Sequence, residues 1–372
     1  MRLAVEHATL CAKVRKMSQV DHQKLERLYR EYRKAPKEYQ ATSYWTAYEE
    51  SILETLRELD LNQLRSGRYP VLATFGFHDQ KYFHHPNQSF WTTALLKLIQ
   101  GYLIKDRPIL PYSMSTGHIR DIAYRHCELA GIVSGSRPIS DLEVSTFGSP
   151  GDLFEVGGRK YTMSFLSYYL RHCFVNQHMR LRGDEVIVEL GSGSGYQVEV
   201  LKKLYPNLTI LCFDLPAQVY LCEAYLREAL GEDAIVGTDS TLEWSDLSSV
   251  TPGRVYLLSN WQMPMLRDFQ FDLFWNAASF GEMEPEVVEN YLSLVKGTAD
   301  WIYLLQARHG KETAGKNRVQ NTIGFQDYQR LLSGYVLCEE RAAWKAHRPL
   351  SDSGGYFEAI WKRSEASREA ET

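Results

Sequence analysis

Apolar residues recur at three- and four-residue spacing in the first part of the chain and in short unbroken runs in the second. Leu25, Leu28 and Tyr32 lie at helical spacing in the charged stretch from Asp21 to Arg33. Trp45, Tyr48, Ile52, Leu53 and Leu56 continue the pattern from Tyr44 to Leu61. Trp91 to Ile104 and Gly117 to Leu129 predict two further helices. Phe75-Gly76-Phe77-His78-Asp79 and His84-His85-Pro86-Asn87 carry the punctuation of loops. The region from Gly131 to Gly158, rich in Gly, Ser and Pro, is the expected boundary. It separates a mostly helical N-terminal domain, 1–150, from a second domain, 151–363, with a polar tail over 364–372.

Past that boundary, strands alternate with helices. Glu185 to Leu190 is a β-branched run ending at glycines; Thr209 to Phe213, Val255 to Leu258, Phe271 to Trp275 and Trp301 to Leu305 read as further strands. Tyr196 to Tyr205, Ala217 to Leu230 and Pro285 to Val295 read as helices between them. Short apolar strands joined by helices predict an α/β fold, with a parallel sheet covered on both faces. The final pair, Tyr335 to Glu339 and Tyr356 to Trp361, predicts an antiparallel hairpin at one edge.

Composition changes this picture little. Hydrophobic residues make up 44% of the 372 residues and charged residues 24%, which excludes a disordered or collagenous chain. A net charge of −4 gives no global basic field for nucleic acid, and no apolar run is long enough to span a membrane. Glu6, His7, Lys13, Arg15 and Lys16 interrupt the N-terminal stretch where a secretory signal would be apolar. The six cysteines have no CxxC spacing, so reduced thiols in a cytoplasmic protein are expected. An aromatic content of 12% suits either a large core or a ligand site.

The chemistry begins at Glu189-Leu-Gly191-Ser-Gly193-Ser-Gly195-Tyr196, between a strand and a helix. Glycines let the backbone turn tightly and let a ligand approach the main chain. Asp214 ends the next strand, where an acid can accept from ribose hydroxyls. Dinucleotide binders use G-x-G-x-x-G, but Tyr196 holds the third glycine position and Glu189 precedes the turn. A carboxylate there would repel a pyrophosphate and suits an ammonium- or sulfonium-bearing ligand. A nicotinamide-dependent oxidoreductase is therefore disfavoured, and a non-catalytic scaffold has little use for all five residues.

The E-x-G-x-G-x-G spacing resembles the first motif of class I S-adenosylmethionine-dependent methyltransferases. The resemblance implies a Rossmann-like, seven-stranded methyltransferase sheet over about residues 160 to 362. It also implies S-adenosyl-L-methionine as cofactor, with Glu189 near the methionyl amine, Gly191, Gly193 and Gly195 bordering it, and Asp214 on the ribose. Phe213-Asp214-Leu215-Pro216 is similar to the acid-Leu-Pro of small-molecule O-methyltransferases and adds Leu215 to the site. Phe271-Asp-Leu-Phe-Trp-Asn276-Ala-Ala-Ser279-Phe-Gly-Glu282-Met283, with Ser164-Phe-Leu-Ser-Tyr168-Tyr169 upstream, resembles the sugar O-methyltransferase family of bacterial glycan and natural-product clusters. That implies a sugar hydroxyl of a nucleotide sugar, glycan or glycosylated metabolite as acceptor, with a phenol as the alternative. Asn276-Ala-Ala-Ser279 replaces the N/D-P-P-Y signature of nucleic-acid amino-methyltransferases, so a base acceptor is not expected.

Methyl transfer needs alignment and a base for the weakly nucleophilic hydroxyl. Glu282, after the fourth strand, and His309, after the fifth, are the candidates. Glu282 departs from the His that plant-type relatives of this resemblance place in that loop. Ser259, Asn260 and Trp261 follow the third strand, where adenine is expected, and Gln262 could also bond its amine. Tyr168 could reach the methionyl carboxylate, and Asn276 completes the cofactor set. His78, Asp79, His84 and His85 lack the spacing of a metal site and are expected at the mouth of the acceptor pocket, beside Tyr82, Phe83 and Trp91. The helical N-terminal part would cap the cofactor domain, build the acceptor pocket and could supply a homodimer interface.

Overall fold

The computed structural model describes residues 19–77, 116–311, 319–344 and 355–366. The helix expected over Trp91 to Ile104, the histidine-bearing loops from His78 to His85, and Cys11 lie outside these residues.

Eight strands form the main sheet in the order β5-β6-β4-β3-β7-β8-β10-β9. They are β3 (Val186–Leu190), β4 (Thr209–Asp214), β5 (Ile235–Val236), β6 (Val255–Ser259), β7 (Phe271–Ala277), β8 (Ala299–Ala307), β9 (Tyr335–Ala342) and β10 (Tyr356–Arg363). The first six are parallel; β10 runs antiparallel to both β8 and β9, which makes the predicted edge hairpin. This is a Rossmann-like sheet with one strand beyond the seven expected: the two-residue β5 adds to the β6 edge, too short to leave a pattern. A separate hairpin, β1 (Phe154–Val156) with β2 (Arg159–Tyr161), occupies part of the stretch read as a loop.

Both sheet faces are buried, so strand residues divide by alternation rather than by polarity. Ile187, Ile210, Cys212, Leu257, Leu273, Trp275 and Tyr303 face one core. Val188, Leu211, Phe213, Tyr256, Leu258, Phe274 and Ile302 face the other. The helices are α1 (His22–Tyr32), α2 (Ser43–Glu58), α3 (Thr116–Ser134), α4 (Met163–Met179), α5 (Tyr196–Leu204), α6 (Pro216–Leu230), α7 (Thr238–Thr241), α8 (Pro285–Val295) and α9 (Phe325–Leu331). Asp21 accepts from the Lys24 N–H at the start of α1, and Leu25, Leu28, Tyr29 and Tyr32 form its buried stripe.

The first core continues from the sheet into the N-terminal part through Leu25, Leu28, Ile52, Leu56, Leu72, Phe75 and Phe77. Polar contacts reinforce the join. Lys24 reaches Glu223 on α6 at 2.6 Å, and the Asp21 N–H donates to the Tyr220 hydroxyl at 2.6 Å. Arg65 is fully buried, donates to the Ser145 carbonyl at 2.7 Å and stacks 4.7 Å from the Tyr196 ring centre. The 3-10 turn Pro70–Phe75, ending at Gly76, is thereby held against the glycine turn.

Candidate active site

The chain runs outward from β3 through β4 to β6, then returns to the other side of β3 as β7 and β8. Ligands in open α/β sheets bind at the carboxyl ends of strands where the order reverses in this way. A cleft of about 660 Å³ opens there, lined by Glu189, Gly191, Gly193, Asp214, Leu215, Asn260, Ala278 and Glu282, and closed from the N-terminal side by Thr42, Trp45, Phe75 and Gly76.

The glycine turn is built for close approach. Gly191 has φ +81°, and a Cβ there would lie 2.4 Å from the Ser279 Oγ. Gly193 has φ +47° and sits under the Phe75 carbonyl, 3.1 Å from where its Cβ would be. Only glycine permits both the left-handed backbone and the contacts. The Gly193 N–H donates to the Asp214 carboxylate at 2.7 Å, which ties the turn to the end of β4.

Two acids face each other across this turn. Burial lifts the Glu189 carboxyl to about 8; Asp214 adds to the rise, while Arg171 and the Ser192 hydroxyl oppose it. Its Oε2 is buried without a hydrogen-bond partner. Burial lifts Asp214 to about 7 against the N–H bonds from Gly193 and Leu215, with Glu282 adding to the rise. Buried polar groups are normally paired, so an unpartnered carboxylate oxygen aimed along a cleft calls for a cationic or donor ligand.

Helix α4 supplies a polar stripe from an otherwise apolar surface. Ser164, Ser167, Tyr168 and Arg171, at i, i+3, i+4 and i+7, all line the cleft. The Arg171 guanidinium lies 4.3 Å from the Tyr168 ring centre, and its Nε is buried without a partner. This arginine was not anticipated from the sequence, although the stripe's spacing could have revealed it.

The loop after β7 is clamped from below. Asn276 is fully buried; its amide donates to the Leu190 carbonyl at 2.9 Å and to the Ser279 Oγ at 2.6 Å, and its Oδ1 accepts from Gln306 at 2.5 Å. Gln306, from β8, also accepts from the Gly281 N–H at 3.1 Å. Asn276 therefore does not line the cleft, contrary to its place in the expected cofactor set; it shapes the loop that does. Ala278 holds a left-handed φ of +73° and donates its N–H to the Leu305 carbonyl at 2.7 Å. The loop ends by presenting Glu282 to the cleft, paired with Lys311.

Several other expectations shift on the structure. Gly195 starts α5 with its missing side chain against Cys222 and Leu226 of α6, so it serves packing and not the cleft. Ser259 and Trp261 do not line the cleft, because a 3-10 turn begins at once after β6. The Ser259 N–H donates to Gln262, and the Trp261 ring packs 5.6 Å from Tyr32. Gln262 donates to the Thr241 carbonyl instead of entering the cleft. Of the residues expected near adenine, only Asn260 lines the cleft; its amide donates to the Tyr39 carbonyl and the Tyr291 hydroxyl, and its buried Oδ1 is unpaired. His309 is exposed and outside the cleft lining, because β8 continues to Ala307 and the turn beyond carries the ring outward.

Among the described residues no cluster of His, Cys, Asp or Glu is arranged to hold a metal, and no helix is long and apolar enough to cross a membrane. Their five cysteines are all free.

No protein-family model and no curated protein matches the chain. Solved structures do match over about half of it. The pyocyanin biosynthetic protein PhzM aligns at 12% identity and a TM-score of 0.33, covering 50% of this chain and 52% of that one, about half of its length. Magnesium protoporphyrin IX methyltransferase from Synechocystis PCC 6803, with bound SAH, aligns at 10% identity and 0.35, covering 53% and 86%. A SAM-dependent methyltransferase from Aquifex aeolicus aligns at 12% and 0.34, covering 51% and 88%.

Proposed function

We propose that this protein is an S-adenosylmethionine-dependent O-methyltransferase whose acceptor is a sugar hydroxyl. The carrying observation is the Glu189–Asp214 pair at the glycine turn, with the Glu189 Oε2 buried and unpartnered. The residues fit the cofactor. Glu189 would take the methionyl ammonium, Arg171 with Tyr168 the carboxylate, Asp214 the ribose hydroxyls, and the Asn260 Oδ1 the adenine amine. When bound, S-adenosylmethionine supplies a sulfonium methyl open to in-line displacement. Glycines 191 and 193 let that ligand lie against the backbone, while the Phe75–Gly76 segment excludes water from above. Glu282, at the cleft's other end, accepts the proton of the acceptor hydroxyl. Trp45, Thr42 and Tyr356 line that end and offer an apolar platform with hydroxyls beside it, which suits a sugar ring.

Calorimetry with S-adenosylhomocysteine, with NAD⁺ as control, tests the cofactor: micromolar binding of the former alone is expected. Binding of NAD⁺ instead would sink the reading. Methyl transfer to a panel of nucleotide sugars, glycosides and phenols then tests the acceptor, and turnover confined to phenols would replace the sugar.

A further inference from the structure

Four elements meet at the acceptor end of the cleft: α2, the loop after β7, the loop after β8 and the start of β10. Glu282 comes from the β7 loop with its side chain 14% exposed, and Lys311 from the β8 loop at 25%. Their ion pair is covered from a third side by α2. The Lys311 Nζ lies 4.9 Å from the Tyr44 ring centre, and Glu282 is also hydrogen-bonded to Trp45. The pair is thus caged between an aromatic face and the cleft, and the Glu282 carboxylate still lines that cleft.

We propose that Lys311 is the positioning residue that holds Glu282 as a carboxylate turned toward the acceptor. The inference rests on the methyltransferase reading and names what makes its base competent. A proton acceptor buried beside other acids would hold its own proton at neutral pH. Burial pushes Glu282 in that direction, and the Lys311 ammonium and the Trp45 hydrogen bond oppose it. Tyr44, Tyr48 and Tyr356 are further titratable side chains at this end, and Tyr44, lifted to well above the ordinary phenol value by burial, stays neutral. In the proton step the acceptor O–H bond breaks, the oxygen keeps the electron pair, and the proton moves to a Glu282 carboxylate oxygen. An already protonated Glu282 cannot receive it. Lys311 therefore sets the pH below which the site fails, and it does so without touching the acceptor.

The test is a carboxyl titration by NMR on protein carrying ¹³C at glutamate Cδ. The Glu282 signal is assigned by its loss in Glu282→Gln, and spectra are taken with and without S-adenosylhomocysteine. Lys311→Met should raise the Glu282 midpoint by about half a unit or more, and Lys311→Arg should restore it. Tyr44→Leu, which removes the ring under Nζ, provides a second variant with a smaller shift in the same direction. S-adenosylhomocysteine affinity should stay within about twofold in all three. A midpoint unmoved in Lys311→Met, or not restored by arginine, would overturn the inference. Failure of S-adenosylhomocysteine to bind wild type would instead remove the methyltransferase reading, while the titration still reports on Lys311.

Discussion

Cofactor binding should expel protons, because the two acids that receive it are held partly protonated by burial. With Glu189 near 8 and Asp214 near 7, at pH 7 the first carries about nine-tenths of a proton and the second about half. An ammonium against the Glu189 Oε2 and ribose donors on Asp214 both favour the ionised forms, so each acid lets its proton go. Binding at pH 7 should release about 1 to 1.5 protons. Affinity should climb about a hundredfold per pH unit well below 7, about tenfold between about 7 and 8, and level off above 8, each decade corresponding to about 1.4 kcal/mol. The assay is calorimetry of S-adenosylhomocysteine binding at pH 7 in phosphate and in Tris, whose ionisation enthalpies differ widely. The slope of observed enthalpy against buffer enthalpy is the proton count. Glu189→Gln should reduce that count to about half a proton, leaving the Asp214 share. Equal enthalpies in the two buffers would refute the reasoning, since both acids would then already be ionised in the empty cleft.

The remaining predictions follow from the same geometry. Asp214→Ala should weaken S-adenosylhomocysteine binding about tenfold or more, roughly 1.5–3 kcal/mol, by calorimetry; unchanged affinity would remove Asp214 from the site. Glu189→Gln should stabilise the empty protein while harming binding: a carboxyl raised from 4.5 to about 8 costs the native state stability progressively as pH rises through that window. Chemical denaturation at pH 8 should show a gain of about 1–3 kcal/mol that vanishes near pH 4. Arg171→Met should cost about tenfold in affinity for S-adenosylhomocysteine and much less for adenosine, which lacks the carboxylate. Gly191→Ala should drive the new Cβ into Ser279, displace the β7 loop and cost about 1–3 kcal/mol. Ser279→Gly should recover part of that loss, leaving the left-handed backbone strain.

Most strands of the sheet were legible because each is a short apolar or β-branched run, largely buried in β3, β4, β6, β7, β8 and β10; the two-residue β5 was not. The β1–β2 hairpin was not, because three-residue strands beside glycines have the composition of a loop. Glu189, Asp214 and Glu282 could be found because acids next to glycines or at strand ends have few structural uses. Asn276 was misassigned because β7 runs two residues past the expected end at Trp275, so strand alternation buries it. Trp261 was misassigned because a 3-10 turn begins at once after β6 and carries its ring away from the cleft. His309 drew attention by its place beyond the fifth strand and its chemistry, but β8 runs two residues past the expected end and carries it out of reach.

The contacts of the N-terminal segment with the glycine turn are the part that the sequence pattern did not show. Its residues are ordinary in composition, yet Phe75 places a carbonyl over Gly193, Phe77 packs edge-on to Tyr196 and Tyr225, and Arg65 stacks on the same two rings. Tyr196 opens the helix after the glycine turn, and it holds the place where a dinucleotide binder would need glycine. The same tyrosine thus closes one cofactor option and anchors the segment that roofs the other. The Tyr225 hydroxyl donates to Glu199 at 2.6 Å, and Glu199 accepts from the Ser145 N–H at 2.7 Å, whose carbonyl receives Arg65. This closed circuit of buried charge joins the N-terminal segment, the connection before β1, and helices α5 and α6 beneath the glycine turn. Lys203 also pairs with Glu199, at 2.7 Å, and this largely buried network favours one arrangement over many. The roof over the cleft is therefore held against the same helix that follows the glycine turn, and a ligand reaching Glu189 meets backbone from both halves of the chain.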